Sequence, residues 1–419
     1  MKHTDLALSR RTVLTAAAAA SMGSLPAWAQ DKAPIQFATL LDFTRVYTFL
    51  TAEYSQGQQD YINLVNQEGG IDGHPIKLII KDHASYPERG IALYNEAKAA
   101  GAVFFDFLSS PVANALMPRV DEDHMPMIAF AHGRADAADG DAFPYVFPSA
   151  AIYRSQAALL LKYIDEQEGG LKGKKIAFVH IDSAFGKEPI ELIERVAKTK
   201  GFELKLYPYP VPGTEQAATW SEVRKNRPDK IIIWGAGPGQ GVHSQRRHQR
   251  HRAQGHPLGD LAVRKRHVGL QGQRGGGRQA RHPGQHRHRS GDPEAHRRQG
   301  GHARQGQRRQ GQGRHHLLQH RRGQHGNRGA GGQAGHAKGG APLTGEKIKA
   351  GYETIKDFTA EGLMPPLTIT AKDHQGGGAG MISEWDGKQW APKSDWGSAY
   401  QDVVWDLIKE DIAKSKEKK

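Results

Sequence analysis

Leu64-Val65-Asn66-Gln67-Glu68-Gly69-Gly70-Ile71-Asp72-Gly73-His74-Pro75-Ile76-Lys77-Leu78 sets the reading of the chain. Tyr54, Tyr61, Leu64 and Val65 fall on one helical face, so a helix runs up to two glycines. Glycine tolerates the positive φ that ends a helix, and the Asp72-Gly73 turn then feeds an apolar run beginning at Ile76. Helix, glycine pair, turn and strand form one link of a repeating α/β chain.

The same alternation runs outward in both directions. Strands are expected at 35–41, 76–82, 103–108, 127–131, 175–180, 203–208 and 230–234. Helical spacing fills 87–100, 112–123, 150–167 and 186–199. Strand followed by helix, repeated, gives parallel sheets covered on both faces. The rhythm breaks once, at 136–149, where Gly, Pro and Asp cluster, and this passage is expected to cross between two such sheets. The fold class is α/β, with two Rossmann-like parallel-sheet lobes joined by a hinge. After residue 341 a helix is expected at 346–355, strands at 367–372 and 381–385, and a terminal helix at 400–416.

Residues 241–340 obey different rules. They contain no Ile, Phe, Tyr, Trp, Met or Thr, and 95 of 100 positions are Leu, Pro, His, Gln, Arg, Val, Ala, Asp, Glu or Gly, against 61 in the preceding hundred. Those ten types are the ones whose codons can begin with G or C, a bias of nucleotides rather than of folding. A frame that starts on the original third codon base of a GC-rich gene would produce it, so the block reads as an out-of-frame translation. It carries 20 Arg and 2 Lys against three acids, so the rest of the chain is mildly acidic, at −5 against the whole-chain +14. With so little apolar content the block is expected to be disordered, leaving the fold incomplete. Taken as genuine, it would instead be an Arg/Gly-rich nucleic-acid module or a metal-binding tract, with 15 His. It lacks the aromatics of the first and a carboxylate-rich surround for the second.

The N-terminus reads as an export leader. Arg10-Arg11 precede a short apolar stretch, and Ala27-Trp28-Ala29 has the small-x-small form of a cleavage site. Ser9-Arg10-Arg11-Thr12-Val13-Leu14 resembles the twin-arginine motif. Cleavage near Ala29 and a periplasmic location are expected. The chain has no Cys, which excludes disulfides and thiolate metal sites. The sequence divides into a leader at 1–29, a first lobe at 30–149, the start of a second at 150–240, the odd block at 241–340, and a return segment at 341–419 that serves both lobes.

The 64–78 stretch resembles the "N-x-x-G-G-I-x-G" signature of solute-binding proteins of the branched-chain amino acid and amide class, which serve ABC importers. The resemblance continues through Ser109-Ser110-Pro111, Asp182-Ser183-Ala184-Phe185-Gly186 and Asp373-His374-Gln375-Gly376. It implies a small ligand held between hinged lobes, a membrane permease as partner, and neither catalysis nor cofactor nor nucleic acid. By that resemblance the loop of Ser109, Ser110 and Pro111 holds a ligand carboxylate, and Ala131 and His132 complete the cradle. Phe185 packs on the ligand from the other lobe, and Trp234 adds apolar surface. Two readings stay open for these groups: the serines could be a helix N-cap, and Phe185 could be core. The class places an acid after the strand at 230–234 to neutralise a ligand ammonium, but residues 235–240 read Gly-Ala-Gly-Pro-Gly-Gln. Small apolar or aromatic carboxylates are therefore expected at least as readily as branched-chain amino acids. No metal site and no phosphate-binding glycine loop is assigned.

Overall fold

The computed structural model describes residues 32–131, 133–237, 262–263, 342–385 and 390–417. Its first half alternates as the hydrophobic spacing requires: β1 (Ile35–Leu41), α1 (Thr51–Gln67), β2 (Ile76–Asp82), α2 (Pro87–Ala99), β3 (Ala102–Asp106), α3 (Ser110–Glu122) and β4 (Met127–Ile128). A 3-10 turn (Ala135–Ala138) and β5 (Val146–Phe147) follow. These five strands form one all-parallel sheet in the order β2-β1-β3-β4-β5. Tyr94 of α2, Leu116 and Met117 of α3, and Phe105 and Phe107 are fully buried in one core cluster.

The chain then enters α4 (Tyr153–Glu168), β6 (Lys175–Ile181), the short α5 (Ala184–Lys187), α6 (Ile190–Lys200), β7 (Glu203–Tyr209), α7 (Ala217–Asn226) and β8 (Lys230–Trp234). These strands make a second parallel sheet, ordered β7-β6-β8-β9, whose last member is β9 (Ala262–Val263). The other residues of the 241–340 block lie outside the described residues, as does the leader, so the expectations placed on them rest on sequence alone. The return segment supplies α8 (Gly345–Tyr352), the hairpin strands β10 (Ser383–Trp385) and β11 (Trp390–Pro392), and α9 (Gln401–Glu417). Val404, Leu407 and Ile408 of α9 are buried in the core of the second sheet, with Leu161, Phe178 and Leu192.

Three expectations need correction. The strand at 127–131 stops at Ile128, because Ala131 takes φ +56° and turns the chain toward the crevice. The passage at 136–149 is more than a crossing: Val146 and Phe147 pair with Met127 and Ile128 and add a fifth strand to the first sheet. Residues 367–372 form no strand. Leu367 bridges only Phe358, and the Ile369 N–H goes to the Ile355 carbonyl, so this run is spent on a local loop. Helix α7 was not anticipated; its single buried residue, Val223, gives almost no amphipathic signal.

The motif at 373–376 joins the return segment to the crossing. The Asp373 carboxylate accepts backbone N–H groups from Gln375, Gly376 and Gly377 at 2.9 to 3.0 Å, and burial raises its pKa against the pull of those bonds. His374 donates its N–H to the Ala138 carbonyl at 2.8 Å and accepts the Ser149 N–H at 3.0 Å. Its ring Nδ1 lies 2.8 Å from the Val146 carbonyl. Where the sequences cross between sheets, three chain segments are thus stitched together, as a hinge requires.

Candidate functional site

Strands of a parallel sheet deliver their following loops to one edge, and ligands of such sheets sit in the crevice beyond the carboxyl ends. Here the loops after β1, β2, β3 and β4 gather at one edge, and Tyr47 after β1 and Ala135 after β4 reach Phe185 and Glu188 after β6. Their order comes from buried polar residues that end the strands. Asp42, fully buried after β1, accepts N–H groups from Thr44, Arg45, Val46 and Tyr47 at 2.8 to 3.3 Å, and the Ser85 hydroxyl at 2.6 Å. Asp82 accepts from Phe43 and Ala84 N–H and the Thr44 hydroxyl; these bonds outweigh burial and lower its pKa. His83 is buried with Nε2 2.7 Å from the Phe107 carbonyl, and its Nδ1 accepts the Ser85 N–H at 2.9 Å. Those partners define a neutral ring with the proton on Nε2, consistent with burial lowering its pKa.

Ser109 and Ser110 are both buried at the start of α3. Ser109 occupies the N-cap position, but its side chain makes no cap hydrogen bond. Its hydroxyl donates to Ser85 Oγ at 3.2 Å, extending a relay Ser109, Ser85, Asp42. The capping alternative is therefore excluded for that hydroxyl. Ser110 Oγ accepts the Gly133 N–H at 3.3 Å, and Pro111 sits in the first helical turn. Ala131 and Gly133 both have positive φ, +56° and +91°, which bends this loop back over the Ser110 hydroxyl. At φ +91° a side chain at 133 would be strained, and its Cβ would press on the Met117 methyl. His132 lies outside the described residues.

The opposing face is aromatic. Phe185, 3% exposed, has ring centroids 5.0 Å from Tyr153, 6.2 Å from Trp234 and 6.4 Å from Tyr47; Trp234 is 5.7 Å from Tyr153. Gly186 follows because a Cβ there would collide with the Ile181 carbonyl, so the loop can fold only with glycine. Tyr47 comes from the first-sheet side, so the ring cluster spans the crevice. The Tyr153 hydroxyl donates to the Ala131 carbonyl and lies within hydrogen-bonding reach of Ser110. Among the described candidates, Ser109, Ser110, Pro111 and Ala131 lie together in the first lobe, while Phe185 and Trp234 are buried in the core packed on the second sheet.

Sequence reasoning missed Tyr47, Ser85, Tyr153 and Glu188. Glu188, the residue after α5, lines a pocket with Ala131, Gly133, Arg134, Tyr153 and Gln156. Its Oε1 accepts the Ala135 N–H at 3.1 Å, across from the second lobe to the first, and lies 3.4 Å from Arg154 Nε. Burial pushes its pKa up to about 7, with Arg154 opposing and Asp136 reinforcing the shift. An acid therefore does stand in the crevice, although not in the 235–240 loop. Among the described residues no group of three or more His, Asp or Glu is placed to hold a metal, and no helix is long and apolar enough to cross a membrane.

The family model of periplasmic binding proteins matches residues 34–243, half of the chain. The chain belongs to the periplasmic binding protein family. A crystal structure described as an ABC transporter permease from the Pseudomonas fluorescens group superposes on this periplasmic binding protein with a TM-score of 0.66. It is 26% identical and covers 92% of this chain and 97% of that one. A branched-chain amino acid ABC transporter protein from Thermus thermophilus with bound valine shares the fold at a TM-score of 0.61, with 15% identity over 90% of this chain and 99% of that one. The Leu/Ile/Val-binding protein homolog 3 of Brucella melitensis biotype 1 is 22% identical over 185 residues, 44% of this chain. That match spans about half, 49%, of the relative's length. The fold is the type I arrangement, and the family is one of binding proteins rather than enzymes.

Proposed function

We propose that this protein is the extracytoplasmic solute-binding component of an ABC importer, closing its two lobes on a branched-chain amino acid, an amide, or a small apolar or aromatic carboxylate. The observation that carries this reading is the pairing of two unlike walls. Buried hydroxyls of Ser109 and Ser110 stand on one side, and the rings of Phe185, Tyr153 and Trp234 on the other. A carboxylate suits the first wall, because hydroxyl and amide donors fixed in a water-poor crevice bind charge without reorganising. An apolar body suits the second. Ser109, Ser110, Pro111, Ala131 and His132 form the proposed carboxylate cradle, and Phe185 and Trp234 the apolar clamp.

The reading includes export by the twin-arginine leader with cleavage near Ala29, and docking of the closed form on a membrane permease. It divides the mature chain into a first lobe at 30–149, a second beginning at 150–240, and a return segment at 341–419 that contributes to both. Residues 241–340 are read as an out-of-frame translation of the native segment, with no nucleic-acid or metal role, and sequencing the coding DNA tests that part. A continuous alternative frame encoding an apolar α/β pattern supports it, and stop codons in that frame refute it. Calorimetry of the full chain with leucine, 4-methylpentanoate and benzoate tests the binding reading. Saturable binding of at least one, weakened by Ser110→Ala by about 1 to 3 kcal/mol, is expected. No heat with any of them contradicts it.

A further inference from the structure

Glu188 carries a hydrogen bond from one lobe to the other. It follows α5 on the second lobe, and its Oε1 accepts, at 3.1 Å, the N–H of Ala135, whose 3-10 turn lies between β4 and β5 of the first sheet. The side chain is only 8% exposed, and Oε2 finds no hydrogen-bond partner among the described residues. Its counterion stands on its own side of the crevice. Arg154 of α4, with Nε 3.4 Å from Oε1, is held by Asp411 of α9 at 2.6 Å and by Glu191 of α6 at 3.4 Å. Separating the lobes therefore strips Glu188 of the Ala135 N–H while leaving Arg154 beside it.

That asymmetry decides which protonation state each form prefers. In an opened crevice water reaches both carboxylate oxygens. In the closed one a single N–H replaces it at Oε1, nothing replaces it at Oε2, and Asp136 of the first lobe brings a second negative charge close. Arg134 arrives with Asp136 but is committed to it through two hydrogen bonds. The remaining facing groups, Tyr153, Arg154, Glu191, Asp411 and Lys414, belong to α4, α6 and α9, which pack on the second sheet and move with Glu188. A carboxylate that loses water and gains a like charge is easier to keep protonated. The pKa of Glu188 in this arrangement is pushed up to about 7, with burial as the largest cause.

We propose that Glu188 is a proton-linked latch between the lobes: closing the crevice takes up a proton on this carboxyl, so acid favours the closed form and base the open one. The latch acts in the ligand-free protein and is independent of the charge or shape of the solute. Any ligand that binds by closing the lobes carries the same proton uptake with it.

The chain has no Cys, so Asn95→Cys on α2 and Lys198→Cys on α6, both exposed, place one fluorophore on each lobe. Energy transfer in the ligand-free full chain should report a closed-to-open ratio that rises about tenfold or more from pH 8 to pH 5.5, following the protonation of one group. In Glu188→Gln, which keeps the accepting oxygen and cannot ionise, the ratio should stay within about twofold over that range. A wild-type ratio that does not change, or that falls in acid, overturns the latch, and so does a Glu188→Gln protein with the wild-type pH response. Should Glu188→Gln fail to fold, hydrogen exchange at the Ala135 N–H of the wild type decides. After correction for the intrinsic rate, its protection should be about tenfold greater at pH 5.5 than at pH 8. Equal or lower protection in acid overturns the latch.

Discussion

The two walls of the crevice are built by opposite strategies. On the first lobe, the loops after β1 and β2 are tied to buried polar residues with their bonds filled: Asp42 takes four backbone N–H groups and a hydroxyl, and His83 has both ring nitrogens occupied. On the second lobe, the Phe185 loop is capped by the Ser183 hydroxyl, which accepts the Gly186 N–H, and its ring packs on Tyr153 and Trp234, while the Glu188 and Arg154 pair beside it is left under-bonded. A filled hydrogen-bond network is rigid, so the first lobe presents a preformed surface. The second carries the groups whose energy changes when something arrives.

That contrast can be broken at several points. Phe185→Ala removes the ring shared by Tyr47, Tyr153 and Trp234, and should cost about 3 to 5 kcal/mol in chemical denaturation. A loss below about 1 kcal/mol would show that the second wall is loosely packed. Asp42→Ala leaves a row of buried N–H groups unpaired and should cost about 3 kcal/mol, with the damage confined to the first-lobe loops in hydrogen exchange. If the second lobe exchanges equally, the lobes do not differ in the way described.

A smaller effect follows from Glu188, whose folded pKa of about 7 stands above its ordinary value of 4.5. A raised acid contributes stability that is fully present below the unfolded pKa and is lost as pH rises through the folded one. Between pH 4.5 and 7.5 the wild type should therefore lose on the order of 2 to 3 kcal/mol more than Glu188→Gln, visible as converging melting temperatures at low pH. Parallel profiles would place the shift elsewhere. Ser109→Ala should have the least effect on stability, about 1 kcal/mol, because it ends the relay through Ser85 to Asp42 and caps nothing.

Much of the framework was legible because buried parallel strands are apolar runs that declare themselves, as at Ile76–Asp82 and Lys175–Ile181. The short edge strands were not. Val146 and Phe147 pair with only two residues, and their conformation is fixed by the neighbouring strand and His374 rather than by their own periodicity. Among the candidate site residues, Ser109, Ser110 and Phe185 stand in sequence motifs, which is what nominates them. Asp42, Ser85 and Glu188 are single polar residues whose meaning depends on what lies across space from them. The available signal was positional: Asp42 directly ends a buried strand, and Glu188 follows the Phe185-Gly186 turn by two residues. Residues 235–240 carry no acid in the sequence, and the acid that lines the pocket, Glu188, follows β6 instead.

The most direct measurement is a crystal structure of the full chain grown with leucine or 4-methylpentanoate. The account predicts ligand density between the lobes, with a carboxylate oxygen within about 3 Å of the Ser109 and Ser110 loop and the aliphatic end against Phe185. Density on the outer faces of the lobes, or a carboxylate turned toward Phe185 and away from the serines, would contradict it.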